Sequence, residues 1–251
     1  MSSSIWTQCA GTSEPASLRL APWRVVEAQH RTSTRKLVRM DAEQRVLEAL
    51  IEGVKPPDAT GGRLHYLLAT PFRYPPLPHG SRFGGRRERG IWYGSETQAA
   101  AFAEVAYYRF LFLAGTAADL GGVATQLTAF RATVETARSV DLTAGCFAEH
   151  RAAIASPTSY RSSQALGADA RAAGVEVLRY PSARDPEGGV NVAVLAPSAF
   201  GRRRPHGFET WHCVATVERV EARRLDYFRP GLFAFERSVF LVRGELPAPA
   251  F

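Results

Sequence analysis

Apolar residues recur at helical spacing over Asp41 to Gly53, where Val46, Leu47, Leu50 and Ile51 share one face. Asp41 is placed to cap that helix, with Gln44 as its return partner, and Lys55-Pro56-Pro57 ends it. The most apolar stretch predicts a second helix, opened by Ser95 with Gln98 in the capping-box position and stopped near Gly115; Glu104 sits inside it among Ala101, Phe102, Ala103, Val105 and Ala106. A third helix is capped by Ser162 or Ser163, runs to Ala173 and is closed by Gly174. Short apolar runs predict strands at Leu64–Thr70, Ile91–Tyr93, Thr125–Val134, Ser139–Leu142, Val175–Tyr180, Val190–Ala196, Trp211–Val220 and Ser238–Val242. The prolines of Pro71-Phe72-Arg73-Tyr74-Pro75-Pro76 argue for an extended segment at a sheet edge and against a helix. Residues 1–22 show little periodicity and read as a loose arm. Strands scattered between helices, without a regular βαβ alternation, predict an α+β fold.

A chain of 251 residues that is 45% hydrophobic and 22% charged is long enough for a substantial core, and its composition excludes disorder, collagen and coiled coil. The three cysteines, Cys9, Cys146 and Cys213, are far apart and form no CxxC, which argues against a disulfide framework and a structural zinc site; read as free thiols, they suit a cytoplasmic protein. The start shows no apolar stretch followed by a cleavage site, so no secretory signal is expected. Ala99 to Ala118 is interrupted by Glu104 and Arg109 and is too short and too charged to span a bilayer. The net charge of +7 is nearly all arginine, Lys36 and Lys55 being the only lysines. A rigid guanidinium fork suits phosphates and carboxylates, but a GC-rich genome also encodes basic residues as Arg, so charge alone leaves the partner open.

No P-loop, GxGxxG after a strand, HExxH or GxSxG occurs, and the six histidines are scattered without ligand spacing. What remains is a set of polar residues at element ends: Arg73 and Tyr74, Arg82 in a glycine turn, Tyr93, Glu104, and Ser182 after Tyr180-Pro181. Each has an ordinary reading as a solvated arginine, a core tyrosine, a wet-face glutamate or a turn serine. Two details favour function. A carboxylate in so apolar a helix calls for a polar partner, and an arginine among glycines lets backbone approach a phosphate closely.

Pro71-Phe72-Arg73-Tyr74, Gly80-Ser81-Arg82-Phe83, Trp92-Tyr93-Gly94 and Ala103-Glu104-Val105 resemble the first half of the RES domain. Tyr160, Ser163-Gln164-Ala165-Leu166, Arg179-Tyr180-Pro181-Ser182-Ala183-Arg184 and Gly188-Gly189-Val190-Asn191 resemble its second half, so the likeness covers about residues 64–200 and extends to the late strands. It implies an ADP-ribosyltransferase-like α+β fold, with a β-sheet core and flanking helices, over residues 61–251 behind an N-terminal arm and helical extension at 1–60. It implies a toxin of a toxin–antitoxin module, including the ParT type, that uses NAD+ as substrate and no metal. Such toxins degrade NAD+ with phosphate or water, or transfer ADP-ribose to a protein. The implied partner is an Xre-like, ParS-type antitoxin that blocks the active site. Carried over residue by residue, Arg82, Glu104 and Ser182 are catalytic, and Arg73, Tyr74, Arg82, Tyr93, Ser182 and Asn191 hold NAD+. The glycine turn departs from the family: it reads SRFGGRRERG where many members have GGRWN, so the asparagine is absent.

That set suits cleavage of the nicotinamide–ribose bond, which builds positive charge on the sugar. Arg73 and Arg82 would hold the pyrophosphate, Tyr93 or Tyr74 would stack on the nicotinamide, and Glu104 would face the developing cation. Ser182 and Asn191 would bond the nicotinamide amide or a phosphate. The alternative is a nucleic-acid-binding module with Arg86, Arg87, Arg89 and Arg202, Arg203, Arg204 as phosphate contacts, although no RRM, KH or helix-turn-helix signature accompanies them.

Overall fold

A computed structural model describes residues 4–9, 15–28, 38–57, 60–74, 76, 78–118 and 120–248. In chain order its elements are α1 (Ile5–Cys9), β1 (Ala16–Leu20), β2 (Trp23–Glu27), α2 (Asp41–Val54), α3 (Tyr66–Arg73), β3 (Trp92–Ser95), α4 (Gln98–Ala114), β4 (Val123–Arg131), β5 (Val134–Asp141), α5 (Gly145–Glu149), α6 (Arg151–Ile154), α7 (Arg161–Ala172), β6 (Val177–Pro181), β7 (Val190–Val194), β8 (His206–Ala215), β9 (Arg219–Arg224) and β10 (Leu232–Glu236). The fold is α+β. Ten strands form one sheet in the order β1-β5-β6-β7-β3-β2-β4-β8-β9-β10, antiparallel except for β5 with β6.

The sheet has a weak seam. β2 pairs with β4 from Trp23↔Arg131 to Glu27↔Leu127, but meets β3 only through Trp23↔Ser95. On the β3 side, side chains alternate between two cores as strand geometry requires. Val177, Val192, Val194 and Trp92 pack with α3 residues Leu67, Leu68 and Phe72. Leu178, Tyr180, Ala193 and Tyr93 pack against the face covered by α5, α6 and α7. On the other side of the seam, α4 buries Phe102, Ala106, Tyr107 and Phe110 against β4, β8 and β9.

Several expectations are corrected. The segment read as a loose arm supplies α1 and β1, and β2, which follows it and was not expected, lies in the middle of the sheet. The run Leu64–Thr70, read as a strand, is part of helix α3, and Pro71 lies inside that helix. Proline removes the N–H that would bond the carbonyl four residues back; that carbonyl, Leu67 O, instead accepts from the Trp92 indole at 3.3 Å. The α4 cap is Thr97, whose side chain accepts from Ala100 N, while Ser95 ends β3. Asp41 is the first residue of α2 and Met40 its cap, and it is Glu43 that accepts from the Arg39 and Met40 amides. Tyr160, not a serine, occupies the cap of α7. Trp211–Val220 is not one strand but parts of β8 and β9 with a turn between them, closed by Thr216 N to Arg219 O. Ser238–Val242 is not a strand either: Arg237–Phe240 is a 3-10 turn that buries Phe240 against Tyr107 and Phe110.

The reading of three free thiols is also corrected. Cys9 and Cys146 form a disulfide across a sequence separation of 137, and Cys213 alone is free. Spacing cannot show such a pair, because tertiary folding brings α1 onto α5. Among the described residues, no helix is long and apolar enough to cross a membrane.

Candidate functional site

The seam opens into a cavity of about 310 Å³. Trp23, Arg24 and Val25 of β2 line it on one side and Tyr93, Gly94 and Ser95 of β3 on the other, while α4 contributes Ala101, Glu104, Val105 and Tyr108. Successive side chains of a strand point to opposite faces, so three consecutive lining residues on each strand place the cavity between strand edges. Where β2 and β3 stop pairing, there is room for a ligand.

Glu104 is the carboxylate of this cavity. Its Oε1 accepts from Ser182 Oγ at 3.0 Å and from Asn191 Nδ2 at 2.7 Å, and Oε2 takes neither bond. The donors are themselves fixed. Asn191 Oδ1 accepts from Ser95 Oγ at 2.7 Å, which sets the amide with its N–H towards Glu104. Ser182 Oγ accepts from the Arg184 and Asp185 amides, each at 3.1 Å. A hydroxyl has two acceptor lone pairs and one proton; with the lone pairs engaged, the proton goes to Glu104. In this arrangement the Ser182 hydroxyl proton points to the Glu104 carboxylate. The strand end β6 and the strand β7 supply these two side chains, so sheet pairing (Tyr180↔Asn191) sets their spacing.

Arg82 stands on the turn closed by Ser81 N to Gly84 O and Gly84 N to Ser81 O. Gly80 at φ +73 lets that turn form, since a Cβ there would meet Gly84 O at 2.2 Å. Arg82 is 8% exposed; its guanidinium donates to Ile154 O at 3.1 Å and Ser156 O at 3.0 Å, and lies over the Tyr160 ring, 4.9 Å from its centroid. Tyr93 braces the same turn: its hydroxyl donates to Ser81 Oγ and accepts from Phe83 N, and burial pushes its pKa up to about 12. Its ring meets Tyr180 edge-on.

The expected residues do not all converge. Arg82, Tyr93, Glu104 and Asn191 line the cavity, and Ser182 bonds Glu104. Arg73 and Tyr74 are not among the lining residues. Arg73, at the end of α3, pairs with Glu52 at 3.0 Å and bonds Pro56 O, and Tyr74 caps α3, 39% exposed. The helix that replaced the expected extended segment carries both away from the seam.

The second cation is Arg24. It donates to Tyr93 O at 3.0 Å, stands 5.3 Å from the Trp92 ring centroid, and burial lowers its pKa to about 10, which leaves it charged at neutral pH. Arg184, which is not among the lining residues, is 5% exposed, donates to Pro157 O at 2.8 Å and lies 3.5 Å from the Tyr107 ring centroid. Among the described residues no carboxylate pairs with Arg24, Arg82 or Arg184. Tyr108, one turn after Glu104 and 53% exposed, and Tyr160 are further lining residues absent from the expected set. The alternation of Trp23 and Val25 with Arg24 and Val26 was the signal for β2, and the four-residue step from Glu104 was the signal for Tyr108.

The RES domain family matches residues 55–216. The chain belongs to the RES-domain family. No curated protein matches it. RES domains are associated with NAD-acting toxins, which suggests an NAD-related enzymatic activity. In this RES-domain protein the match begins after β2, so Arg24 lies outside the matched region while Arg82, Glu104, Ser182 and Asn191 lie inside it. The basic runs at 86–89 and 202–204 fall on exposed arginines outside the cavity.

Proposed function

We propose that this RES-domain protein binds NAD+ in the seam between β2 and β3 and cleaves its nicotinamide–ribose bond. The observation that carries the reading is the fixed Glu104 carboxylate in a cavity with Arg24 and Arg82, neither of which pairs with a carboxylate among the described residues. A buried Arg82 and a partly buried Arg24, unpaired with any carboxylate among the described residues, favour a ligand that brings negative charge, and a pyrophosphate suits guanidinium forks. Arg82 and Arg24 are the pyrophosphate donors. Tyr108 and Tyr160 offer aromatic faces at the cavity.

Glu104 works on the sugar. Departure of nicotinamide leaves a ribose cation, and a preorganised carboxylate facing it lowers the barrier because its interaction is stronger in the transition state than in the ground state. Ser182 and Asn191 hold Oε1, so that Oε2 meets the substrate. Nicotinamide leaves as a neutral base, which removes the need for a strong general acid. The toxin role, and inhibition by an Xre-like antitoxin seated over the cavity, belong to the same proposal and rest on the family.

The test is incubation of pure protein with NAD+ labelled in the ADP-ribose half. Release of nicotinamide by the parent, lost in Glu104→Gln, is expected. Parallel incubations with phosphate and with cell lysate identify the acceptor as phosphate, water or a protein. No nicotinamide release in any of them, or equal release by Glu104→Gln, overturns the reading.

A further inference from the structure

The Cys9–Cys146 disulfide joins two short helices, α1 and α5. Cys9 ends α1, is fully buried, and stands with its Cα 5.5 Å from that of Cys146 at the start of α5. Cys146 is only partly buried. His150, at the junction of α5 and α6, completes a group in which one ligand-type atom from each of the three side chains lies within 4.8 Å of the others. α1 is further docked by Trp6 against Phe147, ring centroids 6.1 Å apart, and by Ser4 Oγ donating to Asp169 Oδ2 of α7 at 2.7 Å.

The braced elements lead to the cavity. Gln164 of α7 donates to His79 O at 3.0 Å and Ser81 O at 3.1 Å. Gly167 of α7 packs so closely on the turn that a Cβ would stand 2.1 Å from Phe83 O. Ile154, at the end of α6, accepts from the Arg82 guanidinium.

We propose that Cys9–Cys146 is a site of thiol–disulfide exchange with a dithiol reductant, and that its state sets how firmly α1, α5 and α7 hold the Arg82 turn. The reductant's thiolate attacks Sγ of Cys146, the more exposed sulfur. A reductant–Cys146 disulfide forms, the Cys9–Cys146 bond breaks, and its electron pair leaves on Cys9 Sγ. The Cys9 thiolate then takes a proton, delivered by His150, a ring nitrogen of which lies within 4.8 Å of both sulfurs. The second thiol of the reductant attacks the reductant's own sulfur and releases Cys146 as a thiolate, which takes the second proton. The protein gains two electrons and two protons and the reductant becomes a disulfide.

Maleimide labelling of denatured protein is expected to count one thiol without reductant and three after dithiothreitol, because Cys213 alone is free. Reduction is expected to lower Tm by about 10 °C, since it opens a loop closed over a separation of 137 residues. It is also expected to raise amide hydrogen exchange several-fold in the peptide spanning 79–84. Cys9→Ser should match the reduced parent, and His150→Ala should slow reduction at least five-fold while the oxidised Tm stays unchanged. Three thiols labelled without reductant, or equal exchange at 79–84 in both states, overturns the proposal. So does stoichiometric zinc bound to the reduced protein and lost in His150→Ala, which makes the group a metal site. None of these readouts uses NAD+, so failure here is distinct from failure of the proposed catalysis.

Discussion

Glu104 shows how a single side chain is given its direction by others. Ser95 orients Asn191, two backbone amides orient Ser182, and both present donors to one oxygen. Removing the carboxylate charge with Glu104→Gln is expected to reduce kcat for NAD+ cleavage by about 10²–10³, the range for loss of one preorganised electrostatic contact. Ser182→Ala removes only an orienting hydrogen bond, about 1 kcal/mol, so a loss of about tenfold is expected; abolition of turnover would contradict a positioning role. The two arginines separate in the same assay. Arg24→Ala is expected to raise KM about tenfold with little change in kcat, whereas Arg73→Ala, whose partners are Glu52 and Pro56, is expected to leave both unchanged.

Elements are held by contacts that periodicity does not report. α3 accommodates Pro71 because Trp92 takes the carbonyl that proline leaves free, and that helix carries Arg73 and Tyr74 out of the site. α7 approaches the Arg82 turn through Gly167, where any side chain strikes backbone. Gly167→Ala is expected to destabilise the protein by about 1–3 kcal/mol and to weaken ligand binding, as measured by thermal melts and isothermal titration. Glu176, just before β6, ties β5 to the turn at Ser198: Oε1 accepts from Arg138 and Ser198, each at 2.6 Å, and Oε2 from Thr136. Burial acts to raise its pKa, but the donors Ser198, Thr136 and Arg138 outweigh it and hold the carboxyl below 4.5. The stability it contributes is complete above 4.5, the unfolded value, and is lost as pH falls through the lower folded value. Glu176→Gln is therefore expected to lower stability at pH 7 and to flatten its decline below pH 4.5, as followed by urea melts across pH.

At the scale of the whole molecule, the decisive feature is the seam. Five residue pairs join β2 to β4 and one joins it to β3, so the sheet is continuous yet open at the point where α4 lays Glu104 across it. β2 comes from the N-terminal segment, outside the region matched to the family. A chain lacking residues 1–28 is expected to lose cooperative unfolding and nucleotide binding together, because the half carrying Glu104 and the half carrying Asn191 would no longer share a strand between them. A truncated protein that melts cooperatively with unchanged affinity would show that the segment is dispensable.

The motifs around Arg82, Glu104 and Ser182 were legible in the amino-acid sequence because each is local: a glycine turn, a charge stranded in an apolar helix, a serine after a strand end; Asn191 entered only through the resemblance to the RES domain. Local patterns also disclosed most strands and the three long helices α2, α4 and α7. The misassignments share a cause. Leu64–Thr70 is apolar enough for strand or helix, and the helix is accompanied by the His65 cap and by contacts far along the chain, the Trp92 indole on Leu67 O among them. Arg24 and the Cys9–Cys146 pair acquire their surroundings from residues about 70 and 137 positions away. Side-chain chemistry is written in the chain, but which groups face one cavity depends on strand order and on how helices pack across it, and those are settled by burial of the whole core at once.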